Sequence, residues 1–233
     1  MAALKPMADG LVKRFKDAGQ QQPRVLYTDR ECCGVDNGSK YNHLFESWPN
    51  LIVRLDIYHF MRRFALGVTS ESHPLYAVFM SRLASCIFEW EGADVKRLEL
   101  AKREELKAAG IPNPSDSAVR KAITKAEMAR HCKRRTRGVA ATKEAIDKLL
   151  LELSTSTDTL GVPLLKPEIW TIWSEQQRHL ACIQDPPDIR LYTKTREIEK
   201  GGIKLPVYRC ARGSTSLESY HLHMGRFIPG KRS

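Results

Sequence analysis

Apolar residues recur at helical spacing at the start of the chain. Leu4, Met7, Leu11 and Phe15 share one face, which predicts an amphipathic helix over residues 4–18. Arg24-Val-Leu-Tyr-Thr-Asp29 then reads as a strand, followed by a turn-rich stretch ending at Asn37-Gly38. A short helix over 41–47 leads to a second strand, Leu51-Ile-Val-Arg-Leu-Asp56, which runs straight into a helix at Tyr58-His-Phe-Met-Arg-Arg-Phe-Ala. Strand, helix, strand in that order implies a right-handed crossover and a parallel pair. Residues 74–153 read as almost wholly helical. Tyr76, Phe79, Leu83, Ile87 and Trp90 line one apolar face. The stretch 91–109 alternates in charge, as a solvated helix does. Pro112 and Pro114 interrupt it, Ser115 can cap the helix that follows, and a long helix is predicted over 122–153. After a polar linker at 155–163, Pro167 suits the first position of a helix reaching about Ile183, with Trp170 and Trp173 on its apolar side. Pro186-Pro187 stops it. The runs 189–195 and 203–211 read as a hairpin around Gly201-Gly202. A last helix is predicted from near Ser216 to Pro229-Gly230. The fold class this predicts is α/β, predominantly helical.

Hydrophobic residues make up 42% of the chain, enough for a core in one large domain or one domain with a big insertion. The formal charge of +11 favours a polyanionic partner such as nucleic acid, and charge alone is equally compatible with a merely soluble basic protein. The densest basic cluster is Arg130-His-Cys-Lys-Arg-Arg-Thr-Arg137, inside the predicted helix 122–153. Arg130, Lys133, Arg134, Arg135 and Arg137 can contact phosphates in a salt-sensitive, sequence-blind way. Lys133-Arg134-Arg135 can also serve nuclear import, and a solvated helix face explains the cluster equally well. Trp170 and Trp173 can stack on bases, although their spacing on a helix is more often that of core residues. The six cysteines form no C-x-x-C pair and no zinc-finger spacing. No apolar signal region opens the chain, and no run approaches the roughly 20 apolar residues of a membrane span. These features predict an intracellular protein with reduced thiols and no membrane partner. Adjacent Cys32 and Cys33 read as packing or incidental thiols rather than metal ligands.

The chemistry rests on two carboxylates. Asp29 closes the first strand, and Glu218 lies in the first turn of the last predicted helix, in Gly213-Ser-Thr-Ser-Leu-Glu218-Ser-Tyr-His. A strand-end carboxylate and one on a late helix can converge on a divalent metal and form a phosphodiester-cutting site. Each also has a plain explanation. Asp is common where strands give way to turns, and Thr215-Ser-Leu-Glu218 fits a capping box. His59 reads first as a partly buried histidine bonded to Asp56. His221 and His223 lack the spacing of a helical zinc pair.

The order of these elements resembles the second half of the RNase H-like catalytic domain of DDE transposases. The Mutator-like and hAT-like groups both carry a helical insertion before the last catalytic Glu, and the separation of Asp29 from Glu218 leaves room for one. Tyr27-Thr28-Asp29 matches the strand end bearing the family's second catalytic Asp. Asp56-Ile-Tyr-His59 looks like a variant of its C-x-x-H motif, with Asp in place of Cys. Ser214-Thr-Ser-Leu-Glu218-Ser219 loosely matches its final Glu helix. The resemblance implies a partial RNase H-like sheet with a large helical insertion. Residues 1–66 would form the partial core, 67–185 the insertion, and 186–233 the hairpin and Glu-bearing helix that complete it. It implies Asp29 and Glu218 as catalytic metal ligands, Asp56 and His59 as supports around them, Mg or Mn as any bound metal, DNA as partner and the nucleus as compartment, with the cytoplasm as the alternative.

The family's first catalytic Asp lies on a strand upstream of the helix matched by 4–18, where this chain begins. Asp9 and Asp17 are helical surface acids. The expectation is therefore a transposase-derived, DNA-binding protein that does not cut, with an exposed strand edge for a partner or a second copy to cover. Two alternatives stand beside it. One is an active transposase or nuclease completed by an N-terminal segment or another chain. The other is a helical interaction module with a basic surface.

Overall fold

The computed structural model describes residues 2–33 and 39–213. In chain order the elements are α1 (Lys5–Asp17), β1 (Val25–Thr28), β2 (Ile52–Leu55), α2 (Ile57–Phe64), α3 (Tyr76–Ile87), β3 (Phe88–Trp90), α4 (Gly92–Ala108), α5 (Asp116–Ala122), α6 (Lys125–His131), β4 (Arg134–Thr136), α7 (Val139–Leu153), α8 (Ile169–Gln176), β5 (Tyr192–Lys200) and β6 (Ile203–Cys210). Helix outweighs strand, 46% to 17%, in keeping with a mixed, mainly helical α/β fold. The chain divides into two compact units. Unit 1 takes Met1–Cys86, Gly138–Pro187 and the chain from Gly213; unit 2 takes Ile87–Arg137 and Asp188–Arg212. The long helical stretch is thus shared: α3 and α7 belong mainly to unit 1, and α4, α5 and α6 to unit 2.

In unit 1, α1 seals one end of the core. Ala8 is fully buried against Leu44, Phe45, Trp48 and Leu51, with Leu4, Leu11 and Phe15 packed around them. Met7, expected on that face, is exposed. The helix predicted over 41–47 is instead a chain of tight turns, Asn42 N–H to Ser39 O, Leu44 N–H to Tyr41 O and Trp48 N–H to Phe45 O. These turns direct Leu44, Phe45 and Trp48 together onto α1, where Trp48 stacks on Phe45 and meets Phe15 edge-on.

β1 and β2 form the predicted parallel pair, with Val25 opposite Ile52 and Thr28 opposite Leu55. The far edge of β2 is not bare. Leu55 N–H donates to Cys182 O, and Arg54 Nε donates to Gln184 O. The chain's own 182–184 stretch thus covers part of the edge that the sequence left exposed. Asp56 then caps α2, its Oδ1 accepting from the Tyr58 and His59 amides. Phe60 and Phe64 of α2 are fully buried, and Phe64 meets Trp173 of α8 at 5.9 Å. Trp173 is core and donates Nε1–H to Asp147, whereas Trp170 is exposed. The helix predicted from Pro167 to Ile183 is shorter, giving way at 177–179 to a tighter 3-10 turn.

In unit 2, β3 and β4 pair antiparallel, Trp90 opposite Arg134. Trp90 therefore leaves the apolar helix face on which its spacing had placed it. The single helix predicted over 122–153 is likewise interrupted by β4. Thr124 caps α6 with a full capping box to Glu127, and Gly138, at φ 91°, separates β4 from α7. Ser115 caps α5 as expected. The predicted hairpin forms around Gly201-Gly202, with β5 longer than its apolar pattern suggested. It packs on Leu98 and Ala101 of α4 and on Cys132, through Leu205. Among the described residues the strands make three two-stranded sheets, and the hairpin is not joined to β1 and β2.

Two substitutions test this packing. A methyl group at Gly67 would stand 2.5 Å from Ile169 Cδ1 and 3.0 Å from its Cα. Gly67→Ala should therefore destabilise the protein by about 1–3 kcal/mol in chemical denaturation. Glu127 is 14% exposed and takes Lys102 at 2.7 Å and Lys200 at 2.8 Å. Burial disfavours its charge, but hydrogen bonds from both lysines and from Thr124 outweigh this and hold its carboxyl down to about 2. A depressed folded pKa contributes stability above the unfolded value near 4.5, and that stability is lost as pH falls towards 2. Glu127→Gln should cost roughly 1–3 kcal/mol at neutral pH. The gap to wild type should close between pH 4.5 and 2 in a series of denaturation curves.

Candidate metal centre and the strand-end groove

Both constellations of chemical interest lie in unit 1, at the carboxyl ends of β1 and β2. The first is a cluster of Cys32, Cys33, His179 and Cys182, whose ligand atoms all fall within 4.8 Å of one another. Cys32 and Cys33 follow β1 directly. His179 ends the 3-10 turn after α8, and Cys182 lies one turn further on, its carbonyl already bonded to β2. Cys32 Sγ is 3.2 Å and Cys33 Sγ 3.4 Å from His179 Nδ1, and the two sulfurs are 3.9 Å apart. Cys32 and His179 are buried, Cys182 is half-buried, and Cys33 reaches solvent. A hydrogen bond from the Cys32 thiol, reinforced by His179, holds Cys182 well below the usual thiol range against the effect of burial. Cys32 is pushed up by donating that bond and by its own burial, and Cys33 mainly by burial. These four side chains can hold a metal ion.

Cys32 and Cys33, read from the sequence as packing or incidental thiols, lie in a four-residue cluster that could hold a metal ion. The available signal was a vicinal cysteine pair together with a distant His-x-x-Cys. It went unread because the usual zinc patterns pair cysteines within one short stretch.

The second constellation is a groove of about 430 Å³ lined by Asp29, Arg30, His59, Arg62, Arg63 and Glu71. The Asp29 carboxylate is half exposed, with Arg30 Nε at 3.8 Å. Arg63 donates to the Asp29 carbonyl and to Gln176, and Arg62 pairs with Glu71 at 2.8 Å. A neighbouring groove shares Arg30 and Arg63 and continues past Arg178 and His179. Asp56 is 2% exposed and committed to the α2 cap, with His59 Nδ1 3.6 Å from its Oδ1. Gly213 comes so close that a Cβ there would lie 3.0 Å from Asp56 Oδ2. Glu218 lies outside the described residues, as do Thr215, His221, His223 and the predicted last helix.

The basic cluster sits elsewhere, in unit 2, and is largely engaged within it. Lys133 is 3.6 Å from buried Asp94 and 5.1 Å above the Tyr208 ring. Arg134 lies 4.1 Å above Phe88, and Arg135 and Arg137 both reach Glu89. Arg130 is exposed in the last turn of α6. These cations tie β4 to β3 and to the hairpin rather than standing on one solvated helix face. Among the described residues no helix is long and apolar enough to cross a membrane. Set against known proteins, the chain matches no family model, no curated protein and no solved structure, so its chemistry is read from these two constellations themselves.

Proposed function

We propose that the chain is a transposase-derived nucleic-acid-binding protein. In this reading it grips the phosphate backbone along the strand-end groove of unit 1 and does not cut it. The observation that carries the proposal is the gathering of Arg30, Arg62 and Arg63 around Asp29 at the end of a parallel strand pair. Guanidinium groups bind phosphate oxygens through planar paired donors, and the net charge of +11 draws a polyanion towards them. Arg62 and Arg63 are aimed by α2, whose start Asp56 fixes, so the groove is held before any ligand arrives.

The donor set explains the absence of cleavage in this reading. A two-metal phosphodiester site needs several carboxylates on hard cations such as Mg or Mn. Among the described residues Asp29 and Glu71 are the carboxylates lining the groove, and Glu71 is spent on Arg62. Asp56 is spent on backbone amides. This falls short of a two-metal set, and Asp29 is left to orient Arg30 or hold a single hydrated cation. The nucleus is the compartment that suits a DNA partner.

Fluorescence anisotropy of a labelled DNA duplex tests the proposal. Arg30→Glu with Arg62→Glu should weaken binding at least about tenfold at low salt and reduce the slope of log affinity against log salt by about 2. Arg130→Glu in unit 2 should change that slope by no more than about 1. Equal affinity of the double variant and wild type would reject the groove as the binding surface. Mg-dependent cleavage by the purified chain, lost in Asp29→Ala, would reject the non-cutting part.

A further inference from the structure

We propose that Cys32, Cys33, His179 and Cys182 form a structural zinc site that clamps the loop after β1 to the stretch covering the outer edge of β2. Geometry carries the assignment. A tetrahedral ion with sulfur at about 2.3 Å and nitrogen at about 2.0–2.1 Å sets S···S edges near 3.8 Å and S···N edges near 3.5 Å. The edges here are 3.9 Å between the two adjacent sulfurs, and 3.2 and 3.4 Å from them to His179 Nδ1. The sulfurs of Cys32 and Cys33 are far beyond the roughly 2.0 Å of a disulfide. The ligands have also been brought together at a cost, since a buried histidine and two cysteines from opposite ends of unit 1 meet where apolar side chains would pack more simply.

The donor set selects the metal. Three thiolates and an imidazole suit zinc and disfavour Mg, Mn and Ca, which take oxygen. Four protein ligands complete a tetrahedron and leave no position for water or substrate, which makes the site structural rather than hydrolytic. Charge is also met. Three thiolates on a divalent ion carry one net negative charge, and exposed Arg178 stands beside them. Its Nε donates to His179 Nε2 at 3.3 Å, which leaves the ring proton on Nδ1, facing the sulfurs. The ion takes the place of that proton. Nε2 then carries the N–H, and Arg178 turns outward while its charge remains near the cluster.

The consequence is mechanical. Cys32 and Cys33 lie within four residues of Asp29, and the Cys182 carbonyl receives the Leu55 amide. Zinc would tie β1's exit to the strand-like stretch on the far side of β2, fixing the backbone that presents Asp29 and Arg30. The site stands independently of what the groove binds.

The first experiment is metal analysis of the full chain purified without chelator. One zinc per chain is expected, with X-ray absorption fitting three sulfurs near 2.3 Å and one nitrogen near 2.0 Å. Replacing the metal with cobalt(II) should give the visible bands of a tetrahedral thiolate complex. Cys33→Ser, at the solvent-facing ligand, should keep the fold, lower zinc affinity at least about tenfold and weaken the sulfur-to-cobalt charge-transfer band. Chelation should lower the melting temperature of wild type more than that of Cys33→Ser. The proposal is overturned if wild type carries no metal and takes up no cobalt, if absorption shows only oxygen and nitrogen neighbours, or if intact mass reveals a disulfide among the three cysteines. None of these readouts uses nucleic acid, so failure here is distinct from failure of the groove to bind it.

Discussion

The backbone hydrogen bonds along the two edges of β2 organise unit 1. On one side Ile52 N–H reaches Arg24 O and Asp56 N–H reaches Thr28 O; on the other Leu55 N–H reaches Cys182 O. β2 is therefore a central strand in practice, although one neighbour is only a short stretch without a strand's length. A buried amide left without an acceptor costs about 1–3 kcal/mol, so this arrangement is strongly preferred over a bare edge. It also decides where everything chemical lies. Asp29, Asp56, the cysteine pair and Cys182 all sit at the same end because parallel strands deliver their exits together. In open α/β sheets that end is where ligands gather.

Charge is distributed unevenly between structural and available roles. Unit 2 contains the richest basic run, yet its cations largely face Glu89, Asp94 and the rings of Phe88 and Tyr208. Such contacts tie β4 to β3, to α4 through Asp94 and to the hairpin through Tyr208. Unit 1 has a sparser basic set, but Arg30, Arg62 and Arg63 converge on one groove, where they too have partners in Asp29, Glu71 and Gln176. Density of Lys and Arg in the sequence thus does not coincide with their convergence on a groove. Asp56 shows the same division of labour, since a carboxylate that resembles part of a catalytic motif is used to start a helix that aims two arginines.

Local features were legible in the sequence because they depend on short-range physics. The apolar runs that become β1 and β2, the cap at Ser115 and the glycine turn at 201–202 each arise from neighbours a few residues apart, and all appear in the structure. Where the sequence misled, a distant partner had overridden a local preference. Residues 134–136 have a helical setting but become a strand because Phe88 and Trp90 offer an edge and two rings. The stretch expected as a helix over 41–47 forms turns instead, which place Leu44, Phe45 and the adjoining Trp48 on α1. Trp173 and Trp170 share a helix, and Trp173, against Phe64 and bonded to Asp147, is the core one.

The sequence by itself determined the α/β class, the parallel pair, the carboxylate at the end of β1 and a strongly basic chain. Tertiary structure decided the gathering of Cys32, Cys33, His179 and Cys182, the covered edge of β2 and which partner each cation takes. The reason is the range of the forces involved. Periodicity, caps and turns are settled within a few residues, whereas Cys32 and His179 become neighbours only after α8 packs on α2 and the chain beyond it pairs with β2.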